Sequence, residues 1–298
     1  MSAPTGRRLV AATAAVVATR RVRSALGSGS LARLVGEPGR WTRTNHRGEP
    51  VSLLEGPATA AGLLVGGVLG ASTARGAIAA VVATAGGAGF GLVDDLTEDA
   101  ETRTKGLRGH LGALAHGELT TGGLKVLGIG ASSLLAAAIV TQAYGAGGVR
   151  RHPAGWVLDV ATSGALISAT ANLVNLLDLR PGRALKAAGI AAVPIALAGG
   201  PGAGLAAGVV GAAAGAAPAD LAGRDMLGDG GANAIGALLG TAVVVDASRS
   251  LRLVLLAGAV GLTVVSERVS FTEVIAATPV LRVVDAWGRR PAPGDLSG

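Results

Sequence analysis

The sequence predicts an all-α, polytopic membrane protein, a bundle of about nine transmembrane helices with the N-terminus outside and the C-terminus in the cytoplasm. Half of its 298 residues are hydrophobic and only 15% are charged, whereas soluble domains carry about 25% charged residues. The apolar residues form long runs that polar and basic residues separate. Runs of that length are typical of helices that cross a bilayer.

The same composition excludes several classes of protein. High hydrophobicity with low charge is the opposite of an intrinsically disordered chain. The chain has no cysteine, which excludes a disulfide scaffold, iron–sulfur clusters, cysteine-ligated zinc and thiol catalysis. An ordinary soluble enzyme does not fit either.

The order of apolar and polar runs gives the expected helices. Polar residues bound nine apolar segments, of which the first is short and also has the length of a signal-peptide core, although no convincing cleavage site accompanies it. We expect residues 1–298 to form one integral membrane domain, in which 267–298 is a cytoplasmic C-terminal tail. The nine segments are 8–19, 57–74, 76–93, 123–141, 155–176, 186–199, 202–218, 231–247 and 251–266.

The distribution of basic residues predicts the orientation. With the N-terminus outside, 19 of the 26 lysines and arginines lie in or beside cytoplasmic segments. This asymmetry is what the positive-inside rule expects. It also explains the net charge of +7 as a topology signal, so we expect no nucleic-acid partner.

Glycine-rich stretches inside the apolar segments predict close helix packing. Gly62, Gly66 and Gly70 are spaced four residues apart, a pattern that lets two helix backbones approach each other in lipid. The run 86–91 superficially resembles a dinucleotide-binding loop, but it lies inside an apolar segment with no preceding strand, so we interpret it as another packing surface.

Three polar clusters lie at the predicted cytoplasmic ends of these segments. Each has a simpler alternative: carboxylates at helix ends can be solvated or can cap a helix, as Asp229 could, and either asparagine alone could form a helix-to-helix hydrogen bond. Taken together, polar groups at this depth favour a functional site. The clusters are Asp94-Asp95, then Asn172, Asn175 and Asp178, and then Asp225, Asp229 and Asn233.

The chemistry that suits these residue types is metal-assisted attack on a phosphate. Mg²⁺ prefers oxygen ligands, commonly one or two carboxylates completed by phosphate and water. Asp95, Asp229 and the side-chain carbonyl of Asn175 could supply such oxygens. A diphosphate substrate also requires cations near its oxygens, and Lys105 is a candidate.

These clusters resemble those of the polyprenyl-phosphate N-acetylhexosamine-1-phosphate transferase family, which includes the phospho-N-acetylmuramoyl-pentapeptide transferase of peptidoglycan synthesis. The loop 45–50 also resembles the first cytoplasmic loop of that family. The resemblance covers about residues 40–240, and the motifs occur in the same order and with the same topology as in the family. Its motifs are Gly91-Leu92-Val93-Asp94-Asp95, Asn172-x-x-Asn175-x-x-Asp178 and Gly228-Asp229-x-Gly-x-Asn233-x-x-Gly236.

The resemblance implies a reaction and its partners. A polyprenyl phosphate carrier in the lipid membrane attacks the β-phosphate of a UDP-amino sugar, forms a polyprenyl-diphospho-sugar and releases UMP. The resemblance also implies a requirement for Mg²⁺, for which Mn²⁺ could substitute, and it leaves homodimerisation open.

The resemblance also implies roles for individual residues. Catalytic roles fall to three of them: Asp94 would help to deprotonate the lipid phosphate, Asp95 would support the charge network, and Lys105 would contact phosphate. Asn175 and Asp229 would hold the metal. The expected substrate-binding residues are Asn172, Asp178 and Asn45.

Two departures from the family pattern leave an alternative open. The late histidine-rich motif is missing, since the histidines are His46, His110, His116 and His152, and no clear tenth apolar segment follows residue 266. The alternative is a catalytically degenerate member that binds or scaffolds the polyprenyl-phosphate carrier. A transporter is a third possibility, but its polar groups should lie near the middle of the membrane.

Overall fold

A computed structural model describes residues 4–28, 31, 33, 36–45, 47–97, 120–142 and 152–290. Within these ranges the chain forms eleven α-helices and one short β-hairpin. The helices are α1 (Thr5–Gly27), α2 (Glu55–Gly70), α3 (Ala74–Thr97), α4 (Thr121–Val140), α5 (Pro153–Leu177), α6 (Arg183–Ala198), α7 (Ala203–Asp220), α8 (Gly228–Asp246), α9 (Arg249–Ser266), α10 (Phe271–Ala277) and α11 (Pro279–Ala286).

Helices α1–α9 coincide in order and position with the nine predicted apolar segments. Six of them are long and apolar enough to cross a membrane: α3, α4, α5, α7, α8 and α9. Helix α1 carries five arginines, while α2 and α6 have 16 residues each, a length of about 24 Å. The chain is therefore helical and membrane-embedded.

The hairpin is a departure from the predicted all-α fold. Strand β1 (Thr42–Thr44) pairs in antiparallel register with β2 (Pro50–Ser52). Asn45 makes the reversal possible because its side-chain oxygen accepts from the backbone N–H groups of Arg47, at 2.8 Å, and Glu49, at 3.1 Å. Three-residue strands are too short to give an alternating pattern that sequence reasoning can detect.

Helix α8 is the centre of the bundle and packs against α2, α3, α5 and α7. The small residues predicted to form packing surfaces do so. Gly70 meets Gly204 of α7 backbone to backbone, because a Cβ added at Gly204 would lie only 1.9 Å from the Gly70 carbonyl oxygen. Close approach of this kind replaces the hydrophobic driving force that is absent between helices in lipid.

The antiparallel helices bring the three predicted polar clusters to one end of the bundle. We call this the acidic end and define it by Asp94, Asp178 and Asp229. The hairpin also lies there, because Ser52 exchanges backbone hydrogen bonds with the loop that joins α7 to α8, at 3.1 Å and 2.9 Å. At the opposite end, Arg8 of α1 donates to the Ala196 carbonyl at the end of α6, at 2.7 Å.

The residues after α9 fold back against the acidic end as a C-terminal segment, 267–290. Asp285 of α11 accepts from Arg183 Nε at 2.8 Å, and Lys186 Nζ donates to the Trp287 carbonyl at 2.9 Å. Arg290 bonds the Glu49 carboxylate beside the hairpin, at 2.5 and 2.7 Å. The region expected to be a tail is therefore packed, up to residue 290, against the end that carries the polar clusters.

Candidate functional site

The side chains of Asp94, Lys125 and Asp229 meet at the acidic end. Lys125 Nζ, on the first turns of α4, donates to Asp94 Oδ2 of α3 at 2.6 Å and also to Asp229 Oδ2 of α8. The side chain of Lys125 is 19% exposed and that of Asp94 10%, whereas that of Asp229 is 28% exposed. Two carboxylates from separate motifs thus share one ammonium group, and Asp229 offers the more accessible edge.

Glycine at position 91 allows this meeting. A Cβ added at Gly91 would lie 2.4 Å from the backbone oxygen of Asp229, so α3 and α8 touch there through their main chains. Residue 94 follows almost one helical turn later and therefore lies on the same side of α3. The glycine-rich run inside the third apolar segment is a packing surface, as predicted, and it positions the acidic pair.

Asp95 caps helix α8 across the bundle. Its Oδ1 accepts from the backbone N–H of Asp229 at 3.0 Å, and its Oδ2 accepts from that of Gly230 at 2.9 Å. The first N–H groups of a helix lack partners within the helix and favour negative charge. Asp95 therefore supplies the cap that the sequence alternative assigned to Asp229, and the Asp229 carboxylate is directed to Lys125 instead.

Asp178 and Asn45 line one cavity of about 200 Å³ beside the hairpin. Loss of water around the carboxyl, and then the negative charges of Asp220, Asp229 and Asp95, raise the pKa of Asp178 well above its ordinary value; a backbone hydrogen bond from Gly228 acts in the opposite direction. The structure thus brings together two of the three predicted substrate-binding residues.

The two asparagines of the second cluster behave differently. Asn172 Nδ2 donates to Thr263 Oγ1 of α9 at 3.2 Å, which is the helix-to-helix hydrogen bond that sequence reasoning left open. Asn175 lies on the last turn of α5, where its backbone oxygen accepts from the N–H of Asp178 at 3.0 Å. Within the described ranges its side chain makes no hydrogen bond, so its amide oxygen is available to a ligand.

The lysine beside the acidic pair is Lys125, which sequence reasoning missed. The predicted lysine, Lys105, lies outside the residues that the structure describes. A signal for Lys125 was present: it stands four residues into an apolar helix that carries no other charge. A lone ionisable residue in such a segment usually has a function and a partner.

The donor set at this site suits a cation that a substrate helps to hold. In the described part of the chain, no three acidic or histidine side chains converge as a complete metal cage. Mg²⁺ commonly uses only one or two carboxylates and takes its other ligands from phosphate and water. The Asp229 carboxylate, which is the more exposed of the pair, and the side-chain amide oxygen of Asn175 fit that smaller set.

Comparisons with known proteins do not assign the chain to a family. No protein-family model matches this sequence, and no curated protein matches it either. Evidence on function therefore comes from the site and from the motifs.

Proposed function

We propose that the protein transfers a sugar 1-phosphate from a UDP-amino sugar to a polyprenyl phosphate carrier in the membrane and releases UMP, as a step in cell-envelope glycan synthesis. The observation that carries this proposal is the pair of carboxylates, Asp94 and Asp229, on the single ammonium of Lys125. These residues come from the first and third polar clusters and from a helix between them.

The chemistry requires a nucleophile, a leaving group and control of negative charge. An oxygen of the lipid phosphate forms a bond to the β-phosphorus of the UDP-sugar, the bond from that phosphorus to the bridging oxygen breaks, and UMP leaves. A phosphate monoester still holds part of its second proton near neutral pH, and we propose that Asp94 accepts it. Lys125 balances one of the two charges of the acidic pair and could turn toward a phosphate oxygen.

A divalent cation would complete the site. Asp229 and Asn175 are the residues that we propose to hold Mg²⁺, with Mn²⁺ as a possible substitute. When bound, such an ion neutralises negative charge on transferring phosphoryl groups. Gly91 and Asp95 position this pair of carboxylates. Gly91 fixes the contact between α3 and α8, and Asp95 fixes the start of α8.

The cavity that contains Asn45 and Asp178 supports a place for the nucleotide next to the pair. A carboxyl whose pKa is raised can keep its proton and donate a hydrogen bond to a uracil carbonyl. We propose that the acidic end faces the cytoplasm, where UDP-sugars are made, and that α1–α9 all cross the cell membrane. The basic residues of the predicted cytoplasmic segments support this orientation.

The decisive experiment measures transfer directly. Purified protein in nanodiscs would be given polyprenyl phosphate, Mg²⁺ and radiolabelled UDP-amino sugars, and lipid-linked label and UMP would be measured together. We expect both products in equal amounts with at least one sugar, and neither with Asp94→Asn. Failure to form either product with any UDP-amino sugar would overturn the transferase proposal.

One observation favours a second candidate function, the binding of the lipid carrier without turnover. Lys125 already occupies the point at which the two carboxylates converge and balances one of their two negative charges. Retention of polyprenyl phosphate without UMP release under any divalent cation would identify the protein as a carrier-binding member.

A further inference from the structure

A second, larger cavity of about 660 Å³ lies on another side of the acidic end, between the C-terminal turns of α1, the start of α2 and the end of α7. Asp94, Lys125 and Asp229 are not among the residues that line it. Its volume is that of a small-molecule site. It therefore requires an explanation of its own, independent of the transferase proposal.

Glu55 is the buried acid that lines this cavity. It is 1% exposed, and within the described ranges no N–H or hydroxyl donor bonds either of its carboxyl oxygens, whereas the Asp220 carboxyl lies within hydrogen-bonding reach of it. The two acids near it accept hydrogen bonds from nitrogen donors. Arg23 donates two hydrogen bonds to Asp225, at 2.6 and 2.7 Å, and the backbone N–H of Gly182 donates to Asp220 at 2.6 Å. Two buried carboxyls in contact are costly without a cation beside them, so Glu55 and Asp220 are suited to accept hydrogen bonds from a cationic ligand.

The outer part of the cavity is basic. Arg20 and Arg224 line it and are exposed, and the described chain provides neither guanidinium with an ion-pair partner. Guanidinium groups bind phosphate through paired hydrogen bonds. Thr19, whose buried hydroxyl also has no partner in the described chain, lies on the same lining. The cavity thus combines an acceptor in its interior with two phosphate-binding groups at its mouth.

We propose that this cavity binds the headgroup of a membrane phospholipid that carries both a phosphate and a primary ammonium group, as phosphoethanolamine does. The phosphate lies between Arg20 and Arg224, and the ammonium donates to Glu55. Basic pockets between transmembrane helices bind lipid headgroups, and this one lies at the ends of α1, α2 and α7.

An ammonium group fits the interior better than a hydroxyl. Glu55 shares its surroundings with Asp220 and Asp225, and Arg23 balances only one of these charges. A hydroxyl would donate a hydrogen bond but add no positive charge.

The test compares lipids that differ only in the headgroup. The full-length protein would be released from nanodiscs into native mass spectrometry after equilibration with phosphatidylethanolamine, phosphatidylcholine or phosphatidylglycerol, with neither UDP-sugar nor Mg²⁺ present. We expect phosphatidylethanolamine to be retained about tenfold more than the other two, because a hydrogen bond to a charged group is worth at least that factor. Glu55→Gln should abolish this preference, and Arg224→Gln should weaken retention of all three lipids.

Matched variants separate the site from general effects. Arg21→Gln removes an exposed arginine of α1 that does not line the cavity, and it should change nothing. If Glu55→Gln fails to fold, Arg224→Gln still tests the proposal, because its side chain is exposed. Equal retention of the three lipids by the parent protein would overturn the proposal, as would displacement of phosphatidylethanolamine by inorganic phosphate or by polyprenyl phosphate at equal concentration. Loss of transferase activity would be evidence about the site at Asp94, Lys125 and Asp229, and not about this cavity.

Discussion

Lys125 is the residue on which the candidate site depends most, because it is the shared partner of two mostly buried carboxylates. Removing one member of a buried charge group leaves the others uncompensated, at a cost of about 3–5 kcal/mol. Lys125→Met keeps the length of the side chain and removes the ammonium. We expect a clear fall in the temperature of unfolding and a loss of transfer of about 100-fold or more, measured by thermal shift and by UMP release.

Lys105→Met is the matched comparison for that variant. It alters the lysine that the sequence predicted to contact phosphate. We expect a smaller effect on transfer than that of Lys125→Met, and no effect on stability. A full loss of transfer in Lys105→Met together with normal transfer in Lys125→Met would reverse our assignment.

Asp229 gives a second test at the same scale. Because Asp95 caps α8, Asp229→Asn should leave the helix start intact and change the temperature of unfolding little. Loss of its charge should instead lower turnover sharply at limiting Mg²⁺, and Mn²⁺ should restore part of it, since Mn²⁺ competes well for oxygen sites. Full activity at limiting Mg²⁺ would exclude a metal-binding role for Asp229.

The site residues show where sequence reasoning succeeds and where it stops. Asp94 and Asp229 were identified because carboxylates at the ends of apolar segments are conspicuous. Asp95 caps α8, whereas Asp229 binds Lys125. These separate roles depend on how α3 and α8 cross. No spacing within one segment encodes that crossing, and for the same reason the pairing of Arg23 with Asp225 was not foreseen.

Helices α3 and α8 act as one unit because their backbones touch at Gly91. Gly91→Ala places a methyl group against the main chain of Asp229, which cannot move aside as a side chain would. We expect both the temperature of unfolding and the transfer rate to fall, since the shift separates Asp94 from Asp229.

Gly89 is the matched control on the same helix. A Cβ added there meets no atom within 4 Å, and alanine favours helix formation by up to about 1 kcal/mol. Gly89→Ala should therefore leave transfer unchanged and stability equal or higher. Equal losses of stability and transfer in Gly91→Ala and Gly89→Ala would show that the contact between α3 and α8 is not the cause.

The C-terminal segment is expected to respond to acid. Burial alone would raise the pKa of Asp285, but the hydrogen bond from Arg183 and the charges of Arg289 and Arg183 together lower it. The hydrogen bond from Arg290 likewise lowers the pKa of Glu49. A lowered carboxyl pKa stabilises the packed form above the ordinary value of about 4, and this contribution is lost as the pH falls below it.

This pH response can be measured with spin labels, because the chain contains no cysteine. Labels at Leu179→Cys and Val280→Cys, two exposed positions, should give one short distance at pH 7 and a broad, longer distribution at pH 3. Asp285→Asn should broaden the distribution already at pH 7. A distance that is unchanged at pH 3 would show that these ion pairs do not hold the segment.

At the scale of the whole molecule, the orientation in the membrane is open to a direct test. Reporter fusions after Arg183 should be active as cytoplasmic reporters, and fusions after Asp246 as external ones, because the two positions lie at opposite ends of the bundle. Both fusions reporting the same side would contradict the antiparallel arrangement across the membrane.

The general course of the fold could be predicted because each apolar run is a nearly independent helix in lipid. Helices α1–α9 follow the nine predicted segments, and the ends differ mainly where polar residues extend a helix, as at Arg183 or Thr97. The hairpin and the packing of the C-terminal segment could not be predicted. Both depend on contacts between parts of the chain that are far apart in sequence, such as Arg290 with Glu49.

The few aromatic residues make the packed C-terminal segment observable without any label. The chain has three tryptophans: Trp41 is buried in the hairpin region, Trp156 donates to the Thr141 carbonyl at 3.1 Å, and Trp287 is 74% exposed at the end of α11. With phenylalanine at the first two positions, all tryptophan fluorescence of the protein would come from Trp287. In purified protein in nanodiscs, its emission and its quenching by iodide would then show in real time whether the segment stays against the acidic end while lipid and nucleotide are added.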